Sequence, residues 1–347
     1  MKFLDLFSGI GGFRLGLEMA GHECVGHCEI DKFANKSYIA MHEPKESEWF
    51  EEDITKVRTD ELPATDIWCF GFPCQDTSIA GKQKGFGGHR SSLFFSVTRL
   101  IRELEEEDKP SILFIENVKN LLSVNRGYDF LKLLIELDEI GYDAEWDILN
   151  SKHFGVPQNR ERLFIVGHFR GRSTRKVFPI RQRDKIHHKS NEAQKELYET
   201  APGSFINVVG NLDRPQYHES SNRVYGVDGI APAQNTQQGG GHETKIAVID
   251  DIYTNREPRV YADNAPTLRA ERQGLKVSNG MQVRRLTPKE CFRLQGFPDE
   301  CFEKAREVNS DTQLYKQAGN TVTVNVIYEI ARRFYDEKVF IKYSGGS

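Results

Sequence analysis

The stretch Lys2-Phe3-Leu4-Asp5-Leu6-Phe7-Ser8-Gly9-Ile10-Gly11-Gly12 decides how the rest of the chain is read. Lys2 to Phe7 is a short apolar run of strand type. Ser8 to Gly12 is a glycine loop. Phe13 to Ala20 has helical periodicity, and Gly21 is its stop signal. Strand, glycine turn and helix form a unit in which backbone amides can approach a ligand closely. It does not match the dinucleotide fingerprint G-x-G-x-x-G, because Arg14 stands where the third glycine belongs. Outward from this unit, Cys24 to Glu29 reads as a second strand ending in an acid. Glu29 lies 18 residues after Gly11, about where a carboxylate grips ribose hydroxyls in nucleotide-binding α/β units. Asp53-Ile54 reads as the end of a third strand.

The next apolar run, Asp66-Ile67-Trp68-Cys69-Phe70, leads into Gly71-Phe72-Pro73-Cys74-Gln75. This puts a thiol at the mouth of a buried strand. Open α/β sheets keep their chemistry at such carboxyl ends, so Cys74 is a candidate nucleophile. A free cysteine is more often a small buried hydrophobe, and its surroundings must decide. Residues 76–93 are long, basic and glycine-rich, as in a lid or binding loop. Ile112 to Ile115 reads as another strand, ending in Glu116-Asn117-Val118. Gln158-Asn159-Arg160-Glu161-Arg162 precedes the strand Leu163 to Val166. Two arginines at i and i+2 of extended chain point the same way and can clamp a phosphate or a carbonyl oxygen.

Alternating strand and helix patterns continue to about Phe169, with helices expected over 94–107 and 128–140. From 201 to 280 the chain is rich in Gly, Pro, Asn and Gln, with short apolar runs read as strands and loops. That region holds a weak repeat. Arg223-Val224-Tyr225 leads to Ala231-Pro232 and Lys245-Ile246, and Arg259-Val260-Tyr261 leads to Ala265-Pro266 and Lys276-Val277. Arg, Gln and Asn are side chains that pair with base edges, although Gly/Pro turns alone can also produce such a repeat. An apolar helix, Val322 to Phe334, follows.

The 347 residues suffice for two domains. Six cysteines (24, 28, 69, 74, 291 and 301) include no CxxC pair, which argues against structural zinc and for a reducing compartment. No apolar run reaches membrane-spanning length. The net charge is −4, but residues 152–190 carry +9, residues 256–293 carry +5 and the remainder −18. A polyanion would be drawn to one side only.

With these motifs in hand, the chain resembles the DNA (cytosine-5)-methyltransferases. Asp5 to Gly12 is similar to that family's cofactor loop, Gly71 to Gln75 to its Pro-Cys motif, and Glu116 to Val118 to its Glu-Asn-Val motif. Gln158 to Arg162 resembles its Gln-x-Arg-x-Arg motif. Arg285 to Cys291 with Gln295 to Pro298, and Gln317 to Val322, resemble its last two. The resemblance covers about 1–168 and 283–335. It implies an α/β fold: a Rossmann-like class I methyltransferase domain with a mixed, mostly parallel sheet, over 1–180 and 312–347. A smaller strand- and loop-rich target-recognition domain is expected over 181–311.

The resemblance implies a cytosine flipped from a specific duplex site and methylated at carbon 5 through a covalent adduct with Cys74. Glu116, Arg160 and Arg162 would complete the catalytic set. S-adenosylmethionine would lie against Phe7, Gly9, Gly11, Glu29, Ile30, Asp53, Ile54, Leu93, Asn320 and Thr321, with no metal. Ala80, also a DNA-binding candidate, stands where relatives often place a serine near the space vacated by the flipped base. Lys82, Gln83 and Arg90 in the lid, Arg223 and Arg259 in the repeat, and the Thr267-Leu268 pair are the DNA-binding candidates. Expected partners are double-stranded DNA and, in a restriction–modification setting, a cognate restriction endonuclease. Solitary or phage protective methylation is the other setting. The chain is expected to act as a monomer in the bacterial cytoplasm. A tRNA cytosine methyltransferase, a catalytically silent DNA-binding homologue and a nicotinamide oxidoreductase remain open as alternatives.

Overall fold

The computed structural model describes residues 1–72, 92–172, 174–180, 208–211, 223–225, 231–232, 245–249 and 281–334. Cys74, Ala80, Lys82, Gln83, Arg90, Arg259, Thr267 and Leu268 lie outside the described residues, and of Arg223 the backbone alone is described. The glycine unit folds as read, with strand β1 (Lys2–Leu6), then a turn, then helix α1 (Gly12–Met19). β2 (Glu23–Cys28), α2 (Lys32–His42), β3 (Trp49–Glu51) and β4 (Ile67–Gly71) follow. Next come α3 (Ser92–Glu103), β5 (Ile112–Val118), α4 (Tyr128–Glu139), β6 (Tyr142–Asn150), β7 (Gln158–Asn159) and β8 (Glu161–Phe169).

Among the described residues these strands form a seven-stranded sheet in the order β3-β2-β1-β4-β5-β8-β6. Pairing is parallel from β3 through to β5, whereas β8 runs antiparallel to both β5 and β6. The sheet is mixed and mostly parallel, as expected. The chain winds outward from β1 through β2 to β3, and in the other direction through β4 to β5. The crevice between β1 and β4 is therefore the switch point at which α/β sheets bind ligands.

Alternation along the strands divides the core between two faces. Leu4, Leu6, Trp68, Phe70, Leu113 and Ile115 face one apolar layer, with α3 and α4 over it. Phe3, Ile67, Cys69, Ile112 and Phe114 face the other, under α1 and the late helix α8 (Val324–Ala331). α1 and α8 approach closely because Gly16 has no side chain: a Cβ there would lie 2.6 Å from Ile327 Cβ.

A third cluster joins distant parts of the chain. Helices α5 (Pro288–Leu294), α6 (Asp299–Val308) and α7 (Asp311–Asn320) bring Phe292, Phe297, Phe302 and Leu314 against Ile10, Ala34 and Met41. Residues 286–311, expected with the recognition domain, are thus packed on α2 and the glycine turn. Thr287 starts α5 with a capping box, its hydroxyl accepting from Glu290 N while the Glu290 carboxylate accepts from Thr287 N.

The second region contributes β9 (Val208–Asn211), β10 (Arg223–Tyr225), β11 (Ala231–Pro232), β12 (Lys245–Ile249) and β13 (Met281–Arg285). Four of them form a sheet in the order β13-β12-β10-β9, and β11 pairs instead with β7, next to Arg160. The first copy of the repeat therefore folds as β10 and β12 side by side, Val224 opposite Lys245.

Candidate active site

One end of the crevice is a turn held by a carboxylate. Phe7, Gly9 and Gly11 have φ of 54°, 57° and 79°. A non-glycine residue there is strained, and such strain gathers at ligand sites. Gly11 is needed twice over, since its Cβ would also lie 2.2 Å from His42 Nε2. Glu29 follows β2 directly. Its Oε2 accepts from Gly9 N at 2.7 Å and its Oε1 from Asp31 N at 2.7 Å. Burial raises the Glu29 carboxyl above its ordinary range, and these two N–H donors oppose the rise. Ile30, next in sequence, is 71% exposed. Ser8 Oγ is buried and has no hydrogen-bond partner among the described residues. A Cβ on Gly9 would meet no atom within 4 Å.

The remaining residues expected at this end divide between surface and core. Asp53 Oδ1 accepts from Thr55 N and Oγ1. Ile54 is buried in the apolar layer against which Phe7 and Leu93 also pack. Asn320 is exposed at the end of α7, and Thr321 beside it is buried. An exposed apolar side chain, a buried carboxylate, an orphaned hydroxyl and an open glycine turn fit a nucleoside ligand with a polar tail.

The other end is built from strand termini. Gly71 of β4 is in register with Glu116 of β5, and Glu116 Oε2 lies 3.1 Å from the position a Gly71 Cβ would take. Asn117 Nδ2 donates to Phe72 O at 3.1 Å, which pins the exit of β4. Arg162 Nε lies 3.0 Å from Glu116 Oε1. The carboxylate is therefore fixed beside the segment that leads into Cys74, three residues beyond Gly71.

Arg160 and Arg162 do not act as a simple pair on one strand face. Arg160 N bonds to Gln158 O at 3.1 Å and to Asn150 Oδ1 at 3.1 Å. This tight i to i+2 contact breaks the extended chain between β7 and β8. The two groups remain near enough for Arg162 to oppose the charge of Arg160. Arg160 Nη2, however, donates to Gly319 O at 3.1 Å and Thr321 O at 2.9 Å.

The family model for C-5 cytosine-specific DNA methylases matches residues 1–336. The chain belongs to the C-5 cytosine-specific DNA methylase family. It is 33% identical over 338 residues to the type II methyltransferase M.HhaI of Haemophilus parahaemolyticus, covering 95% of this chain and 93% of that one. It is 30% identical over 429 residues to the orphan methyltransferase M.SPRI of Bacillus phage SPR, covering 95% and 96%. Among solved structures, the Entamoeba histolytica methyltransferase EhMeth superposes with a TM-score of 0.66 at 18% identity, covering 97% of this chain and 98% of that one. The protein is thus an enzyme that places a methyl group on carbon 5 of a cytosine in DNA.

Two features of the methylase differ from the reading of its sequence. The basic stretch 152–190 does not present all its charge to one partner. Arg170 bonds to Asp143 and Asp138. Arg172 donates to Glu106 O and Glu107 O, both at 2.7 Å. Ile112 pairs with His168, so both arginines lie at the end of the sheet opposite Glu116. The second feature is a set of positioning groups in or beside the motifs that spacing does not reveal. Asn117 holds Phe72. Gln295 Nε2 donates to Ala318 O at 2.8 Å, and Thr323 Oγ1 bonds to Gln295 Oε1 at 3.0 Å and to Ser151 Oγ at 2.8 Å. Among the described residues, no helix is long and apolar enough to cross a membrane.

Proposed function

We propose that the methylase takes its methyl group from S-adenosylmethionine and attacks a flipped cytosine through Cys74. Bound at the glycine turn, S-adenosylmethionine supplies an electrophilic methyl group on sulfonium. Glu29 would accept from ribose hydroxyls, Ile30 would cover the adenine face with Asp53 and Ile54 nearby, and Asn320 and Thr321 would border the methionine end. The Cys74 thiolate adds to carbon 6 of the ring, and the electron pair this releases makes carbon 5 nucleophilic. Glu116 would share a proton with ring nitrogen 3 and accept from the exocyclic amine, so that the negative charge developing on the ring is neutralised, while Arg162 faces the ring carbonyl oxygen. After carbon 5 is methylated, loss of its proton returns an electron pair that expels Cys74 and restores the ring.

The register of Gly71 with Glu116 carries this reading, because it fixes a carboxylate beside the chain leading to the thiol. The target carbon is hidden in stacked duplex, so the base must leave the helix. Residues 181–285 would supply the recognition unit, with Arg223, Arg259, Thr267 and Leu268 toward DNA. The packing of Leu286, Phe292, Phe297 and Phe302 with Ala34 and Met41 supports ending that unit before 286. Lys82, Gln83, Arg90 and Ala80 would line the base-side loop. Relatives of type II and of orphan kind support duplex DNA as substrate, either with a cognate endonuclease or alone. We place the enzyme in the cytoplasm as a monomer.

The test is trapping. Wild type should form a covalent complex with duplex DNA carrying 5-fluorocytosine at the target, since fluorine does not leave as a proton does. Cys74→Ser should neither trap nor methylate, because an alcohol is a far weaker nucleophile at neutral pH. Substantial turnover by the serine variant would overturn the assignment.

A further inference from the structure

Arg160 and Arg162 come from one short motif and both lie within electrostatic reach of Glu116, but their hydrogen bonds run to different parts of the site. Arg162 holds Glu116. Arg160 spans the carbonyls of Gly319 and Thr321, which bracket Asn320. That turn closes α7, where helix carbonyls lack their usual partners. Arg160 is 3% exposed, and burial works against its charge. A guanidinium kept in such a place must be offset by its hydrogen bonds and by the nearby Glu116 carboxylate.

What Arg160 holds lies directly on the glycine turn. A Cβ added to Gly12 would come within 2.5 Å of Thr321 Oγ1, so the two segments touch with no room to spare. The turn is fixed on its other side by Gln295, through Ala318 O. Movement of Arg160 would therefore shift Asn320 and Thr321 relative to Gly9 and Gly11.

We propose that Arg160 is a positioning residue for the cofactor end of the reaction, clamping the Gly319–Thr321 turn, while Arg162 serves the base end through Glu116. The motif then sets the relation between the two ends, because two residues of one segment hold them. This rests on the reading of the glycine turn and Glu29 as the cofactor site.

The experiment uses the full chain and S-adenosylhomocysteine, a product that binds without reacting. Its affinity is measured by calorimetry without DNA for wild type, Arg160→Ala, Arg160→Lys and Arg162→Ala, and each variant is also tested for trapping on 5-fluorocytosine duplex. Arg160→Ala should lose affinity by about tenfold or more, as expected for two charge-assisted hydrogen bonds. Arg160→Lys should recover part of it, with KM for the methyl donor raised more than kcat is lowered. Arg162→Ala should bind S-adenosylhomocysteine like wild type and fail to trap. If Arg160→Ala does not fold, the lysine variant decides, since a single ammonium lacks the planar fork that spans two carbonyls. Arg160 variants that bind S-adenosylhomocysteine normally but fail to trap would overturn the inference and return Arg160 to the base. A wild type that fails to bind S-adenosylhomocysteine yet traps DNA would overturn the cofactor reading itself, and the inference with it.

Discussion

The turn from Phe7 to Gly12 and the strand ends at Gly71 and Glu116 share the carboxyl end of one sheet but are built differently. At the turn, backbone amides converge on a single buried carboxylate, and the shape depends on residues in the left-handed region. At the strand ends, side chains hold one another: Glu116 by Arg162, and Phe72 by Asn117. The first arrangement presents a pre-shaped surface that can bind a ligand before any chemistry. On the proposed reading, the second faces the ring on which charge develops during the reaction. Binding should fail when the first is damaged, and turnover when the second is.

Exchanging the two carboxylates for amides tests this division and carries the largest expected effect. Glu116→Gln should lower kcat by about 10²–10³-fold, as for loss of a group aimed at developing charge, while S-adenosylhomocysteine affinity stays at the wild-type level. Glu29→Gln should do the reverse. One of its two N–H partners would then face an amide NH2, at a cost of about 1–3 kcal/mol. That cost should appear as weaker S-adenosylhomocysteine binding, with kcat largely recovered at saturating methyl donor. If both variants lose binding and turnover in the same proportion, the two ends are not separable.

The same contrast explains what the sequence discloses. Gly11 is legible because a left-handed turn beside a strand leaves few residue choices, and the β1-turn-α1 unit is local. The carboxylates at Glu29 and Glu116 are legible because each follows an apolar run. β6, over Tyr142–Asn150, escaped because it is a sheet edge whose mixed burial lacks a clean alternation. α5 carries a capping box at Thr287 and Glu290, yet its packing on Ile10 and Ala34 spans more than 250 residues of sequence. The clamp from Arg160 to Thr321 is invisible for the same reason. Periodicity reports on neighbours along the chain, and these contacts join neighbours in space.

Acid should separate the two ends by stability. His42 Nε2 lies 3.0 Å from Ile10 O, so that nitrogen must carry the proton of a neutral ring. His27 stacks on Tyr38 with ring centroids 3.9 Å apart. Burial lowers both histidines from 6.5 to about 4. Between those values the unfolded chain binds protons that the folded chain refuses. Their contribution is therefore present above about 6.5 and is lost as pH falls toward 4, at about 1.4 kcal/mol per pH unit for each ring. Urea unfolding at pH 7.5, 6 and 5 should show this decline, and His42→Gln should reduce its slope. Amide exchange should rise first at Gly9 and Gly11 rather than at Ile115 and Glu116. A profile flat between pH 7.5 and 5 would remove the histidines from the account.

The smallest effect expected compares two ion pairs at neighbouring ends of β5 and β8. Arg162 and Glu116 have side chains 19% and 13% exposed, whereas those of Lys119 and Glu161 are 53% and 46% exposed at 2.9 Å. Water and salt screen the exposed pair and favour other rotamers, which limits it to about 0–1 kcal/mol. Lys119→Ala should therefore leave the urea midpoint almost unchanged and kcat intact. Arg162→Ala leaves a largely buried carboxylate without its partner, a far costlier state. Lys119 also stands just past Glu116, at the strand end where DNA would arrive. If it touches a phosphate, its removal should weaken DNA binding evenly on all sequences and flatten the dependence on salt. Fluorescence anisotropy at several salt concentrations separates the two roles. A loss of folding stability comparable to that of Arg162→Ala would show that exposure is not what divides these pairs.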